Sequence, residues 1–373
     1  MHTPLGLVFV RVLVLNCGSS SLKWRLYDGG QAQDGGLVER VTDYAAALRD
    51  LLSNLDTSGI GAVGHRVVHG GLRFTAPTLI DDEVLEACTA LTPLAPLHNP
   101  PNLEGVREAR RLLPEVPQVA VFDTAFHRTI PAAHATYAID AKLAAEHGIT
   151  RYGFHGTSHA YVSRRTAELL ERPVQEINVI TLHLGNGASA CAVRGGRSVA
   201  TSMGLTPLEG LVMGGRSGDI DPAIVFHLSR EAKMGLDDID TMLNNGSGLR
   251  GLCGDNDMRE VIRRRAAGDA AAALAFDVYC ARIKSYVGAY YALLGKLDAI
   301  TFTAGVGENA AAVRAEAVSG LEGLGIAVDA ERNASPAHGP RIVSPAGAAI
   351  AVCVVPTDEE LEIATQTERL LAA

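Results

Sequence analysis

The chain has 373 residues, 47% of them hydrophobic and 20% charged, with a formal net charge of −9 at pH 7. That length allows two domains, each with its own buried core. The acid excess argues against nucleic acid as a partner but not against a small anion held by local arginines. The six cysteines are scattered without C-x-x-C spacing, which argues against a disulfide framework or a zinc site. No uninterrupted apolar run is long enough to cross a bilayer. The stretch 5–15 imitates a secretory leader, yet no Lys or Arg precedes it and Arg11 interrupts it, so a cytoplasmic location is expected.

In chain order, the apolar strand 12–15 runs into Asn16-Cys17-Gly18-Ser19-Ser20-Ser21, and a second strand, 22–27, leads to the turn Asp28-Gly29-Gly30. Strands continue to about residue 40. A helix over 44–55 follows, then a strand over 60–68 that ends in His69-Gly70-Gly71. Helices are predicted at 82–89 and 102–113, with Pro93, Pro96, Pro100 and Pro101 marking a rigid loop before the second. A buried strand over 118–122 delivers Asp123 at its C-terminal end, where α/β proteins commonly place site residues.

The second half repeats this order. Strand 177–182 runs into His183-Leu184-Gly185-Asn186-Gly187-Ala188-Ser189, and strands over 190–194 and 197–203 flank the turn Gly195-Gly196. Helices are predicted at 221–231, 258–267 and 269–294. A strand over 298–303 then runs into Ala304-Gly305-Val306-Gly307-Glu308-Asn309, followed by a helix, a last strand over 349–355 and a helix over 359–371. Alternating strands and amphipathic helices imply an α/β fold, and the recurrence half a chain apart implies a duplication.

Small and hydroxyl residues at 16–21 suit phosphate oxygens, because exposed N–H and O–H groups point at a closely approaching ligand. Gly185-Asn186-Gly187 alone also fits an ordinary hairpin turn, and its pairing with the first loop raises it. Gly305-x-Gly307-x-x-Ala310 opens a helix after a strand, and Asp329 lies near the acidic position of a dinucleotide fingerprint. An NAD-dependent oxidoreductase is therefore a rival reading. Arg66, His155 and Arg216 each sit among glycines that leave the charge accessible. His155 and His159 have the spacing of two metal ligands on a helix, without an obvious third. Trp24, the only tryptophan, reads as core.

At these residues the sequence resembles the acetate kinase family, within the actin, hexokinase and sugar-kinase superfamily. The resemblance rests on the 15–23 loop, Gly64-His65-Arg66-Val67-Val68-His69-Gly70-Gly71, Ala95-Pro96-Leu97-His98-Asn99-Pro100 and Phe122-Asp123-Thr124-Ala125-Phe126-His127. It continues through Arg151-Tyr152-Gly153-Phe154-His155-Gly156-Thr157-Ser158-His159, the 183–189 loop, the 203–211 and 216–221 segments and the 305–309 loop. Two features depart from the family. Gly215 stands where threonine usually precedes the arginine, and Met1 to Val10 looks like an N-terminal extension.

The resemblance implies two duplicated RNase H-like (actin-like ATPase) domains around a central cleft. Residues 1–127 with 361–373 would form the first, including a returning C-terminal helix, and residues 128–360 the second, with the nucleotide-binding loops. It implies reversible ATP-dependent phosphorylation of acetate to acetyl phosphate, by direct in-line transfer. Asn16 and Glu359 match positions that help hold Mg²⁺ (or Mn²⁺). Lys23, His183, Leu184, Gly185, Asn186, Gly187, Asp257, Met258, Arg259, Gly305, Val306, Gly307, Glu308 and Asn309 match segments that bind ATP and ADP. Arg66 matches the carboxylate binder, Asp123 a catalytic acid, and His155 and Arg216 the transition-state stabilisers. Val68, Leu97, Phe154 and Pro207 match pocket walls. A homodimer without nucleic acid or membrane partners is implied. Two further readings stay open: a propionate kinase of the same family and a catalytically silent ATP-binding protein.

Overall fold

A computed structural model describes residues 10–18, 21–95 and 98–372. Two compact units emerge: residues 1–128, 156–158 and 358–373 form one, and residues 129–155 and 159–357 the other. Ser19, Ser20 and the pocket-wall candidate Leu97 lie outside the described residues, as does nearly all of the N-terminal extension.

The first unit is built on a six-stranded sheet of β1 (Arg11–Cys17), β2 (Ser21–Asp28), β3 (Gln31–Glu39), β4 (Ile60–Val67), β5 (Thr78–Leu79) and β6 (Gln118–Phe122), in the order β3-β2-β1-β4-β6-β5. β1 pairs antiparallel with β2 and parallel with β4, and β4 pairs parallel with β6. Val12 to Leu15 are buried on both faces, the condition that makes a central strand read as a continuous apolar run. Leu13 and Leu15 join Leu48 and Leu51 of the helix Tyr44–Asn54 on one side. Val12 and Val14 meet Ile363 and Ala364 of the last helix, Glu359–Leu371, on the other. Gly64 on β4 makes that second contact close: a Cβ there would sit 2.6 Å from Thr367 Oγ1 and 2.8 Å from Ile363 Cγ2.

The second unit carries β7 (Asn178–Leu184), β8 (Ala188–Arg194), β9 (Arg197–Thr201), β10 (Ala299–Thr303), β11 (Arg341–Ile342) and β12 (Ala351–Val354), in the order β11-β12-β10-β7-β8-β9. Read from the opposite edge, this is the first sheet's order strand for strand. The senses match as well: β7 pairs antiparallel with β8 and parallel with β10, and β10 pairs parallel with β12. The α/β duplication expected from the sequence is present.

Some elements differ from expectation. The helix predicted at 102–113 is Asn99–Leu112. Pro100 and Pro101 thus belong to its first turn, where a missing N–H breaks no intrahelical bond, and not to the preceding loop. The helices Gly156–Leu169, Leu236–Asn245 and Gly248–Cys253 have no counterpart among the predicted elements. All six cysteines are buried free thiols, and burial pushes Cys17 and Cys191 up to about 12. Among the described residues, no helix is long and apolar enough to cross a membrane.

Candidate active site

In the first unit, β1 ends at Asn16 and Cys17, β4 carries Arg66, and β6 hands the chain to Asp123, so neighbouring strands bring these residues together. Arg66 donates from Nε to both Asp123 oxygens at 3.1 Å and from Nη2 to Oδ2 at 2.6 Å, a fork-to-carboxylate pair. Its Nη1 makes only a 3.4 Å contact with Asn16 Oδ1. Thr157 adds a 3.3 Å hydroxyl donation to Asp123 Oδ1. Asp123 is 1% exposed, so these partners, not water, satisfy its carboxylate.

The last helix supplies the rest. Asp358 caps it by accepting from Leu361 N, and Glu359, Glu360 and Glu362 fill its first turn, where negative charge suits the helix dipole. Glu360, 2% exposed, accepts from Lys23 Nζ at 2.6 Å and from Asn16 Nδ2 at 3.4 Å. Glu359 Oε2 lies 3.9 Å from Arg66 Nε. Burial pushes the Glu359 carboxyl up to about 7, against the pull of Arg66 and helped by the charges of Asp123 and Glu360. Burial alone would weaken the Arg66 charge, but Asp123 and Glu359 outweigh it and hold the guanidinium firmly protonated. Three carboxylates here face one Arg and one Lys, so a divalent cation fits the imbalance. Among the described residues, no group of three or more His, Cys, Asp or Glu side chains forms a complete metal cage.

In the second unit the decisive region is the β7–β8 connection. His183 is the next-to-last residue of β7's buried run, and its ring stacks on His155 with centroids 4.1 Å apart. His155 stands at the head of the helix Gly156–Leu169 in the left-handed region at φ 57°. That conformation is uncommon for a residue with a Cβ and costs about 1 kcal/mol or more. Arg216 reaches the Pro207 carbonyl from Nη1 at 3.5 Å. Burial lowers its pKa, and among the described residues no carboxylate pairs with it. A Cβ at Gly187 would lie 3.5 Å from Arg216 Nη1 and 3.7 Å from His155 Cε1 and Nε2, so one backbone position touches both. Asn186 ties this loop to the one bearing Arg216: its carbonyl accepts from Gly214 N at 3.0 Å. A Cβ at Gly214 would collide with Asn186 Oδ1.

Beside this loop opens a pocket of about 750 Å³ lined by Gly185, Asn186, Asp257, Met258, Arg259, Ile262, Gly305, Val306, Asn309 and Ala310. Three segments chosen from the sequence, far apart in the chain, meet in one cavity of the size small-ligand sites have. Asp257 caps its helix and pairs with Arg259. Glu308 accepts from Thr357 N at 3.4 Å, and burial raises its carboxyl.

Several expectations change. Asp329, the candidate ribose ligand of a dinucleotide site, caps the helix Ala330–Ala334 by accepting from Arg332 N. The helix after β10 is only Ala304–Asn309. His159 does not face a metal with His155; both its ring nitrogens meet hydroxyls, at Thr181 and Ser189. Glu360 was missed, although its place beside Glu359 at a helix start was a signal. Val68 and Phe154 are buried, in the first and second units respectively.

A model of the acetokinase family matches residues 32–365. The acetate kinase of Streptomyces avermitilis is 59% identical over 97% of this chain and 97% of its own. The acetate kinase of Leifsonia xyli is 56% identical over 97% and 99%. The chain belongs to the acetokinase family. Solved structures agree with that membership. Porphyromonas gingivalis acetate kinase superposes with a TM-score of 0.92 at 39% identity, covering 97% of this chain and 100% of its own. A propionate kinase from Francisella tularensis superposes at 0.90 with 43% identity, over 96% and 99%.

Proposed function

We propose that this acetokinase-family chain is an acetate kinase, a phosphotransferase that moves the terminal phosphoryl group of ATP to the carboxylate of acetate, reversibly and in line. The observation that carries this reading is Arg216: a half-buried guanidinium with no carboxylate partner among the described residues, beside His155 and one loop away from the 750 Å³ pocket. Phosphoryl transfer asks a protein for alignment and charge neutralisation more than for covalent chemistry. ATP would occupy the pocket through the 183–187, 257–259 and 305–309 segments; for Lys23 a nucleotide role rests on the family resemblance alone. Arg216 and His155 would meet the charge that spreads over the travelling group.

Arg66 would take the acetate carboxylate with its Nη1 edge, while its Nε and Nη2 are held by Asp123. The pocket-wall roles of Val68, Leu97, Phe154 and Pro207 rest on the family resemblance alone. Acetate is already ionised near neutrality, so no general base is needed, and Asp123 acts by orienting Arg66. Asn16 and Glu359 would hold Mg²⁺ or Mn²⁺, whose charge supplies neutralisation at the phosphates. A cytoplasmic homodimer of two actin-like domains per chain, divided near 128 and 358, completes the reading.

The test is hydroxylamine trapping of acyl phosphate with ATP, Mg²⁺ and acetate, propionate or butyrate in turn. Acetate is expected to give the highest kcat/KM. No hydroxamate from any of them would overturn the reading. The likeness to a propionate kinase favours one second reading, and one methylene in an apolar pocket is worth only about 1–3 kcal/mol. A preference for propionate in the same assay would select it.

A further inference from the structure

A line of hydrogen bonds runs inward from His155 within the second unit. His155 Nδ1 lies 2.8 Å from Ser189 Oγ, the same oxygen lies 2.8 Å from His159 Nε2, and His159 Nδ1 lies 2.7 Å from Thr181 Oγ1. Ser189, His159 and Thr181 are all at 0% exposure. Sheet register explains how they meet. His183 pairs with Ser189 and Thr181 with Cys191 across β7 and β8, so these side chains share one face. His155 and His159 are one helical turn apart.

Donor bookkeeping gives this line a direction. Besides His159, the acceptor near the Thr181 hydroxyl is the Cys191 carbonyl at 3.5 Å, beyond the useful O–H···O range. Thr181 therefore donates to His159 Nδ1, which leaves the His159 proton on Nε2. That N–H donates to Ser189, whose own proton goes to His155 Nδ1. The His155 proton then resides on Nε2, the atom facing Gly187. The Arg216 guanidinium, across Gly187, works against a second proton on the ring, and His183 stacks on its face.

We propose that Ser189, backed by His159 and Thr181, is a positioning residue that holds neutral His155 as its Nε2–H tautomer. The ring then offers a hydrogen bond to a phosphoryl oxygen without first acquiring charge. The inference rests on the reading of His155 as a transition-state stabiliser and deepens it.

The experiment is imidazole ¹⁵N NMR of the full-length protein labelled at histidine, with His155→Ala identifying the His155 signals, alongside steady-state kinetics. In the unsubstituted protein, Nδ1 of His155 should show the lone-pair shift and Nε2 the N–H shift. Ser189→Ala should move both toward averaged values. Thr181→Val, nearly the same shape and further from the reacting groups, should do so to a lesser degree. For Ser189→Ala, kcat should fall at least about tenfold, short of the roughly 10⁴-fold cost of a wrongly held catalytic histidine. KM for ATP and acetate should stay within about twofold, the pattern of an interaction made in the transition state. In a His155→Ala background, Ser189→Ala should lower kcat no further. Unchanged His155 signals in both variants, or multiplying effects on kcat, would overturn the proposal. If His155→Ala leaves kcat intact while Ser189→Ala still moves the tautomer, the relay stands and the catalytic role given to His155 falls.

Discussion

The two units share one sheet topology and differ in how they treat charge. In the first, the ends of β1, β4 and β6 gather charges that are largely answered: Arg66 by Asp123 and Lys23 by Glu360. In the second, the end of β7 carries His183, stacked on His155 at the head of a helix, and the loop before the helix Ala223–Glu231 carries Arg216, which has no carboxylate partner among the described residues. A duplicated backbone thus supports two electrostatic designs. Paired charge leaves a rigid arginine edge and a surplus carboxylate, suited to a small carboxylate and a cation. Unpaired positive charge suits the phosphates of a nucleotide.

The contrast is tested most strongly at its two arginines. Arg216→Ala should cut kcat by about 10³-fold or more, the range seen when an arginine leaves a phosphoryl-transfer site. Its melting temperature should be unchanged or raised, because a half-buried charge with no carboxylate partner is gone. Arg66→Ala should behave oppositely in stability. It strands the buried Asp123 carboxylate and should lower unfolding free energy by about 3–5 kcal/mol in urea titrations. Equal destabilisation by the two would erase the contrast.

Glu359 provides the next test. Its carboxyl is raised to about 7 in the fold, so the folded state binds its proton more tightly than the unfolded chain does. The resulting stabilisation is complete below the unfolded value near 4.5 and is lost as pH rises through 7. Unfolding free energy should therefore decline across that window by up to about 3 kcal/mol more in the parent than in Glu359→Gln. Added Mg²⁺ should reduce the decline if the cation sits at this carboxylate. Parallel pH profiles would refute both points.

The smallest effect is expected at Gly215. A Cβ there would stand 3.2 Å from the Asn245 carbonyl oxygen, a contact relieved by a few tenths of an ångström. Gly215→Ala should cost about 1 kcal/mol or less and leave KM for ATP unaltered. A large loss of kcat would mean that this residue aims Arg216.

Much of this was legible in the residues themselves. The strand Gln118–Phe122 and the helix Glu359–Leu371 follow from an unbroken apolar run and from an acidic start after a capping Asp358. The glycine loops announced themselves because few other residues let a backbone approach phosphate so closely. Proline misled at Pro100 and Pro101, since the same ring that breaks a helix interior is welcome in its first turn. The helix Gly156–Leu169 was hidden by an opening of Gly, Thr, Ser and His, types that also fill loops.

The sequence by itself determined the α/β class and the duplication and marked the glycine loops as candidates, because period, turn residues and strand ends are encoded over a few neighbouring positions. Only the tertiary structure decided which charges are answered and which way the protons of the His155 line run. Lys23 meets a carboxylate 337 positions away, and His159 meets hydroxyls from two other strands. Such partners are chosen by sheet register and helix packing, and burial then sets how much each unpaired charge is worth.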